Sequence, residues 1–140
     1  MVKINFLVNK EQIISPENNL EKEVYGFLEL DLGGMTYGFC PKESIPIEGA
    51  DLLSTWFEQL TQTCLLLKVH SIVQINDVTS YNTWFRFQNT ANGKVVIDQL
   101  VSDKKPGSQS ISTQQIINAE LGPISNYQIS LETLNIEIIR

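Results

Sequence analysis

Thiol chemistry is the first possibility raised by the residue types of this chain, which contains two cysteines and one histidine. A cysteine nucleophile needs a histidine base within hydrogen-bond reach and a neighbouring site that stabilises an oxyanion. Cys40 and Cys64 have apolar neighbours and lie in no recognisable nucleophile motif, while His70 falls in an alternating strand pattern. We therefore interpret His70 as a partly exposed structural residue. The two cysteines are interpreted as reduced thiols, with a disulfide as the alternative.

Metal, carboxylate and phosphate chemistry have little support in the spacing of the side chains. Zinc prefers four nitrogen or sulfur ligands in a tetrahedron, which one histidine and two distant cysteines do not supply. Carboxylate pairs stand beside turns and strand ends, and nothing in the sequence marks one of them as buried. Gly33-Gly34 lacks the lysine and the following helix of a phosphate-binding loop. We predict no catalytic residue, no metal and no cofactor, and hence a protein that is not an enzyme.

Acidic residues are concentrated in the first half of the chain. The net charge is −6, whereas residues 11–58 hold ten acidic and two basic residues, a net charge of −8. Such an excess opposes binding to nucleic acid or anionic lipid, and it can steer a basic protein partner by long-range attraction. Simple solubility is the alternative explanation. The carboxylates proposed for partner binding are Glu43, Glu48, Asp51 and Glu58.

A second candidate surface lies on the aromatic segment 83–87. Alternation places Thr83, Phe85 and Phe87 on one face of a strand and Trp84 and Arg86 on the other. Tryptophan and arginine are enriched at the energetic centres of protein interfaces. Trp84 and Arg86 are therefore predicted to contact a partner. The alternative is a tryptophan that covers a second small core.

Turn signals and periodicity predict the elements that carry these residues. Residues 23–40 are expected to form a hairpin around Gly33-Gly34. A helix is then expected to begin at Gly49 or Asp51 and to end near Leu67, with an apolar face that belongs to the core. Its other face is polar but poor in charge, so that a sheet or a partner could cover it.

The second half of the chain predicts an antiparallel meander. Strands are expected from Val69, from Thr83 and from Lys94, and the Asn92-Gly93 pair is a strong signal for a hairpin between the last two.

Two further helix signals follow the meander. Ser112 and Gln115 form a capping-box pattern, which predicts a short helix before Gly122-Pro123. From Tyr127 the apolar alternation favours a strand with a bulge, although Ser130 could instead cap a terminal helix.

The chain as a whole is expected to form one domain over residues 1–140. Its length and its 42% hydrophobic content suit a single core, and no apolar run approaches the roughly 20 residues of a membrane span. The N-terminal residues fit a first strand, without the cleavage site of a signal peptide, and we expect a cytoplasmic location. The predicted fold class is α+β, an antiparallel β-sheet with one main amphipathic helix packed on a face.

This layout resembles the small α+β immunity proteins of bacterial toxin and immunity systems, over roughly residues 23 to 100. The motifs that carry the resemblance are the strand Val24-Tyr25-Gly26-Phe27-Leu28-Glu29-Leu30, its return Tyr37-Gly38-Phe39, the helix Leu52-Leu53-Ser54-Thr55-Trp56-Phe57-Glu58-Gln59-Leu60, and the paired strands around Trp84 and Asn92-Gly93. The resemblance implies a cytoplasmic, non-enzymatic inhibitor that binds and blocks a toxin domain. The toxin would often be a basic nuclease, to which the acidic surface would bind in place of its anionic substrate.

Other function classes fit the same sequence. A self-assembling structural protein would use the low-charge helix face and the sheet edges to form a defined oligomer. A small-ligand-binding domain would enclose an apolar cavity between helix and sheet. An enzyme would require perturbed carboxylates, or His70 close to a cysteine, inside a cleft. The sequence leaves the oligomeric state open.

Overall fold

The computed structural model describes residues 2–8, 25–38, 40, 51–77, 82–90, 92–102, 111–113 and 119–139. In chain order they form β1 (Val2–Val8), β2 (Tyr25–Leu32), β3 (Met35–Gly38), β4 (Asp51–Leu52), α1 (Leu53–Leu66), β5 (Ile72–Asn76), β6 (Thr83–Asn89), β7 (Lys94–Val101), β8 (Ile111–Ser112), β9 (Glu120–Leu121), β10 (Tyr127–Ser130) and α2 (Leu131–Ile139). Neither of these two helices has the length and apolar character that crossing a bilayer requires.

The first sheet is built on the central strand β2. Strands β1 and β3 pair with it in antiparallel fashion on opposite sides, and the short β4 pairs with its beginning. The predicted hairpin is confirmed, because β2 and β3 are joined by Gly33 and Gly34, whose φ angles are 65° and 96°. Gly38 ends β3 with a φ of 91°, and a Cβ there would lie 2.3 Å from the backbone oxygen of Leu28.

The second sheet has the strand order β10-β7-β6-β5-β8, and β9 also pairs with β7. All of its pairings are antiparallel, and the predicted meander of β5, β6 and β7 is confirmed. The first of these strands begins at Ile72 and not at Val69, because α1 continues into a turn over residues 67–69. Val69 consequently lies in solvent, with 76% of its surface exposed.

A single hydrophobic cluster joins both sheets and both helices. Leu30 and Leu32 from the first sheet, Trp56 from α1, Phe85 from the second sheet and Leu134 from α2 are all buried in it. The predicted apolar face of α1 is confirmed, and part of its polar face is covered as well, since Gln59 accepts a hydrogen bond from the backbone N–H of Asn76 on β5.

The predicted α+β class, with one main helix packed on antiparallel sheet, is confirmed. The strands divide between two sheets, and a second helix completes the core. Such a division is difficult to predict from sequence, because alternation of apolar and polar residues indicates a strand but not the strands with which it pairs.

Two local predictions require correction. Helix α1 begins at Leu53, because Asp51 and Leu52 instead pair with β2. The C-terminal region is a strand only as far as Ser130, whose Oγ accepts a hydrogen bond from the backbone N–H of Thr133 at 3.1 Å. The serine therefore caps α2, which was the less favoured alternative.

The short helix predicted to begin after Ser112 falls only partly within the described residues. Ser112 lies in the short strand β8, which pairs with β5, and Glu120 and Leu121 form β9. The residues between, 114–118, on which most of the predicted helix falls, lie outside the described residues.

Candidate interaction groove

A groove of about 380 Å³ lies beside the outer edge of β1. Three separate elements build it, namely the first strand, the middle of α1 and the end of α2. The residues that line it are Lys3, Ile4, Asn5, Phe6, Phe57, Glu137 and Ile138. It therefore combines an apolar wall with a backbone edge and with one charge of each sign.

Alternation along β1 explains the apolar side of the groove. Val2 is buried in the core, Ile4 is half-buried and packs against it, and Phe6 continues the same face of the strand. At Phe6, however, 53% of the side chain's surface is exposed. Its ring meets Phe57 of α1 edge to face, with centroids 5.1 Å apart. An aromatic pair thus stands at the surface.

The polar side of the groove comes from α2. Capped by Ser130, this helix buries Leu134 in the core and brings Glu137 of its last turn against β1. There the Oε1 atom of Glu137 accepts a hydrogen bond of 3.0 Å from the backbone N–H of Ile4. Because β2 pairs with the other side of β1, this N–H points away from the sheet. A carboxylate oxygen thus stands where the carbonyl of a further strand would stand.

The titratable groups with shifted pKa values lie apart from the groove. Burial raises the pKa of the Cys64 thiol, and burial together with the charge of Glu29 raises that of Cys40. Burial, then the charge of Asp31, raises the pKa of the Tyr127 hydroxyl. Both cysteines are thiols, as the sequence predicted, and His70 is exposed. In the part of the chain that the structure describes, no group of three or more His, Cys, Asp or Glu side chains could hold a metal ion.

The acidic candidates from the sequence are only partly described. Glu43 and Glu48 lie outside the described residues. Asp51 lies in β4, opposite Gly26 of β2. Glu58 is exposed on α1, where it directly follows the groove residue Phe57. Of the four, Glu58 is the one whose side chain is described, and it does not line the groove.

Trp84 and Arg86 lie on β6, away from the groove, and both are engaged inside the fold. Trp84 is only 5% exposed, and its indole Nε1 donates to the backbone oxygen of Ser102 at 3.1 Å. The guanidinium of Arg86 donates to the carboxylate of Asp98 on β7 at 2.9 Å, and Asp98 also accepts from the backbone N–H of Asn126. Trp84 is thus a buried side chain, and Arg86 is paired within the chain itself.

Comparison with known proteins provides no relative for this chain. No model of a known family matches it, and neither a curated protein nor a solved structure is significantly similar. A function for this protein is therefore inferred from the geometry of the described residues.

Sequence reasoning missed the groove residues Phe6, Phe57 and Glu137. Phe57 has helical spacing with the core residues of α1, so its pattern predicted a buried side chain, whereas it is half-buried at the groove. Glu137 and Ile4 are 133 residues apart, and no local pattern relates them. The one available signal was the apolar alternation of Ile4 and Phe6 in a strand at the beginning of the chain.

Proposed function

We propose that this protein is a non-enzymatic inhibitor that binds another protein, in the manner of the immunity proteins it resembles. Its partner would be a basic toxin domain in the cytoplasm, blocked by occlusion. The observation that carries the proposal is the groove beside β1, where an exposed aromatic pair adjoins a strand edge and a carboxylate. Such a combination offers a partner both apolar contact area and directional polar contacts.

The aromatic pair supports a protein partner. Interface energy is concentrated in a few aromatic and arginine side chains that lose their contact with water on binding. Phe6 exposes half of its surface, and its ring packs edge to face on Phe57. A side chain ordered before binding loses little conformational entropy when the partner arrives. Phe6 is therefore our candidate for the residue that contributes most to affinity.

Charge supports a basic partner. The chain has a net charge of −6, and Glu58, which is exposed on α1, directly follows the groove residue Phe57. Attraction between such a surface and a cationic partner accelerates association, and dissolved salt screens it. Glu43, Glu48 and Asp51 remain candidates for the same surface. Trp84 and Arg86 remain weaker candidates, since their contacts are with residues of the chain itself.

The proposal is tested by affinity capture of the tagged protein from a lysate of its source, followed by binding and inhibition measurements with the purified partner. The variant Phe6→Ala is compared with Ile136→Ala, which removes a side chain of α2 that is 60% exposed and does not line the groove. We expect one basic protein, whose activity is inhibited by the wild type. Phe6→Ala should weaken its binding by roughly 2 kcal/mol, about 30-fold, and Ile136→Ala by far less.

Salt dependence tests the electrostatic part separately. The association rate with the purified partner should fall as the salt concentration rises, while the dissociation rate changes little. Capture of no partner, or a captured protein whose activity is unaffected, would contradict the inhibitor proposal. Equal binding by Phe6→Ala and wild type would mean that the groove does not take part in partner binding.

Self-association is a second candidate function, which three exposed apolar side chains favour. Leu65, Val69 and Ile136 are exposed by 52%, 76% and 60%, respectively. Large apolar side chains at the surface gain free energy when a second molecule covers them. Light scattering of the purified protein distinguishes the two functions, because self-assembly predicts a defined oligomer that salt does not dissociate.

A further inference from the structure

We propose that the groove binds an extended segment of the partner as an added β-strand along β1, and that Glu137 then transfers from Ile4 to a basic side chain of that segment. The inference rests on the proposed function and specifies its mode of binding. It assigns Glu137 as a residue that occupies the strand edge until the partner arrives.

The backbone of β1 supplies the first argument. The N–H of Ile4 is directed at Glu137, so the pair Ile4 and Leu30 exchanges no hydrogen bonds across the sheet. Residues two positions away share this orientation, and the N–H groups of Val2 and Phe6 therefore also point outward. Among the described residues, β1 is the end strand of its sheet. Its outer edge thus presents hydrogen-bonding groups with the spacing of a strand.

Glu137 supplies the second argument. Strand edges invite further pairing, and proteins protect them with charged side chains. Here the protecting oxygen comes from the last turn of α2, on a side chain with several rotatable bonds. In the proposed complex a partner carbonyl takes its place on the Ile4 N–H. A positively charged side chain of the partner would give the displaced carboxylate a charge-assisted hydrogen bond.

The side chains around the outer edge of β1 determine which partner segment can bind there. A strand added to β1 alternates between the face of Phe6 and the face of Lys3 and Asn5. On the first face it meets Phe57 and Ile138, which favour apolar residues at every second position. On the second face Lys3 stands opposite Asp31, and Asn5 donates to Glu29 at 3.2 Å. Two carboxylates and one lysine there, with Glu137 beside them, favour a basic segment over an acidic one.

The test uses synthetic peptides as probes, since their chemistry can be matched. One peptide alternates lysine and valine, a second alternates glutamate and valine, and a third is the first with alternate backbone nitrogens methylated. Amide hydrogen exchange measured by NMR reports which backbone groups the peptide covers. We expect the basic peptide to slow exchange at the Phe6 amide by about tenfold or more. The effect at Ile4 should be smaller, because its amide already donates to Glu137, and Asn5 should change little, because its amide faces β2. The methylated peptide should give no protection.

Variants of Glu137 separate its charge from its hydrogen bond. Glu137→Gln keeps an acceptor for the Ile4 amide but loses the charge, and it should reduce the preference for the basic over the acidic peptide about tenfold. The matched control Glu132→Gln removes an exposed carboxylate at the start of the same helix and should leave the preference unchanged. Folding of each variant is checked by its thermal transition.

Several outcomes would contradict the proposal that a partner strand adds to β1, and they differ from those that contradict the proposed function. Equal binding of acidic and basic peptides, or binding without protection of the Phe6 amide, would exclude it. Protection of the same amides in the protein alone, together with a dimer in light scattering, would show that a second copy occupies the edge. If the purified partner binds through the Phe6 side chain but leaves exchange of the Phe6 amide unchanged, the inhibitor proposal survives and the added strand does not.

Discussion

The hydroxyl of Tyr37 donates a 2.5 Å hydrogen bond to the Oδ2 atom of Asp77. Tyr37 belongs to the first sheet, and Asp77 directly follows β5 of the second, so the bond joins the two sheets. The carboxylate is only 7% exposed, and the tyrosine ring packs edge to face on Phe85. A buried carboxylate requires polar partners, because burial removes it from water. The contact is therefore both a polar link and part of an aromatic cluster.

Replacing Tyr37 by phenylalanine tests the polar part of this link alone. Tyr37→Phe keeps the ring and its packing but deprives Asp77 of one donor. We expect the free energy of unfolding in urea to fall by about 1–3 kcal/mol. The double variant with Asp77→Asn completes a thermodynamic cycle, in which the two losses should not add. Simple additivity would mean that the hydroxyl and the carboxylate do not stabilise each other.

The ion pair of the half-buried Arg86 with the buried Asp98 leads to a second prediction. Arg86→Met keeps an apolar chain of similar length but leaves the carboxylate of Asp98 inside the protein without its cation. We expect a loss of about 3–5 kcal/mol, measured by urea unfolding, whereas the double variant with Asp98→Asn should lose less than Arg86→Met alone. Lys94→Met serves as the control, because Lys94 is an exposed cation on β7. A similar small effect for both single variants would contradict the structural role assigned to the pair.

Two glycines with nearly the same backbone angle provide a third prediction. Gly34 and Gly38 have φ angles of 96° and 91°, so alanine is strained at both, at a cost of about 1–3 kcal/mol. A Cβ at Gly34 meets no atom within 4 Å, whereas one at Gly38 lies 2.3 Å from the oxygen of Leu28. Gly38→Ala should therefore lower the thermal transition clearly more than Gly34→Ala. Equal losses would mean that backbone strain, and not the contact with β2, sets the cost at Gly38.

Much of the local structure follows from the sequence alone. The hairpin at Gly33-Gly34 and the one at Asn92-Gly93 were predictable, because glycine adopts the positive φ angles that tight turns require. The buried face of α1, which includes Trp56 and Leu60, was predictable because helical spacing brings such residues to one side. These properties depend on residues only a few positions apart, so the local sequence is enough to predict them.

The candidate site was less accessible to sequence reasoning. Alternation correctly placed Trp84 and Arg86 on one face of β6, but it contains no information on whether that face is covered. Their contacts with Ser102 and Asp98 come from other parts of the chain. The charge count of residues 11–58 likewise describes composition, whereas a surface requires positions. Among the described residues, the acidic candidate Glu58 is exposed on α1 but does not line the groove.

The sequence by itself thus determined the turns, the strand and helix faces and the α+β class, since each depends on short-range periodicity and backbone geometry. Only the tertiary structure decided the division of the strands between two sheets and the meeting of Phe6, Phe57 and Glu137. The Glu137 carboxylate reaches the Ile4 amide across 133 positions of the chain. Such a contact exists only because α2, capped by Ser130, buries Leu134 in the shared core and so aligns its last turn with the edge of β1.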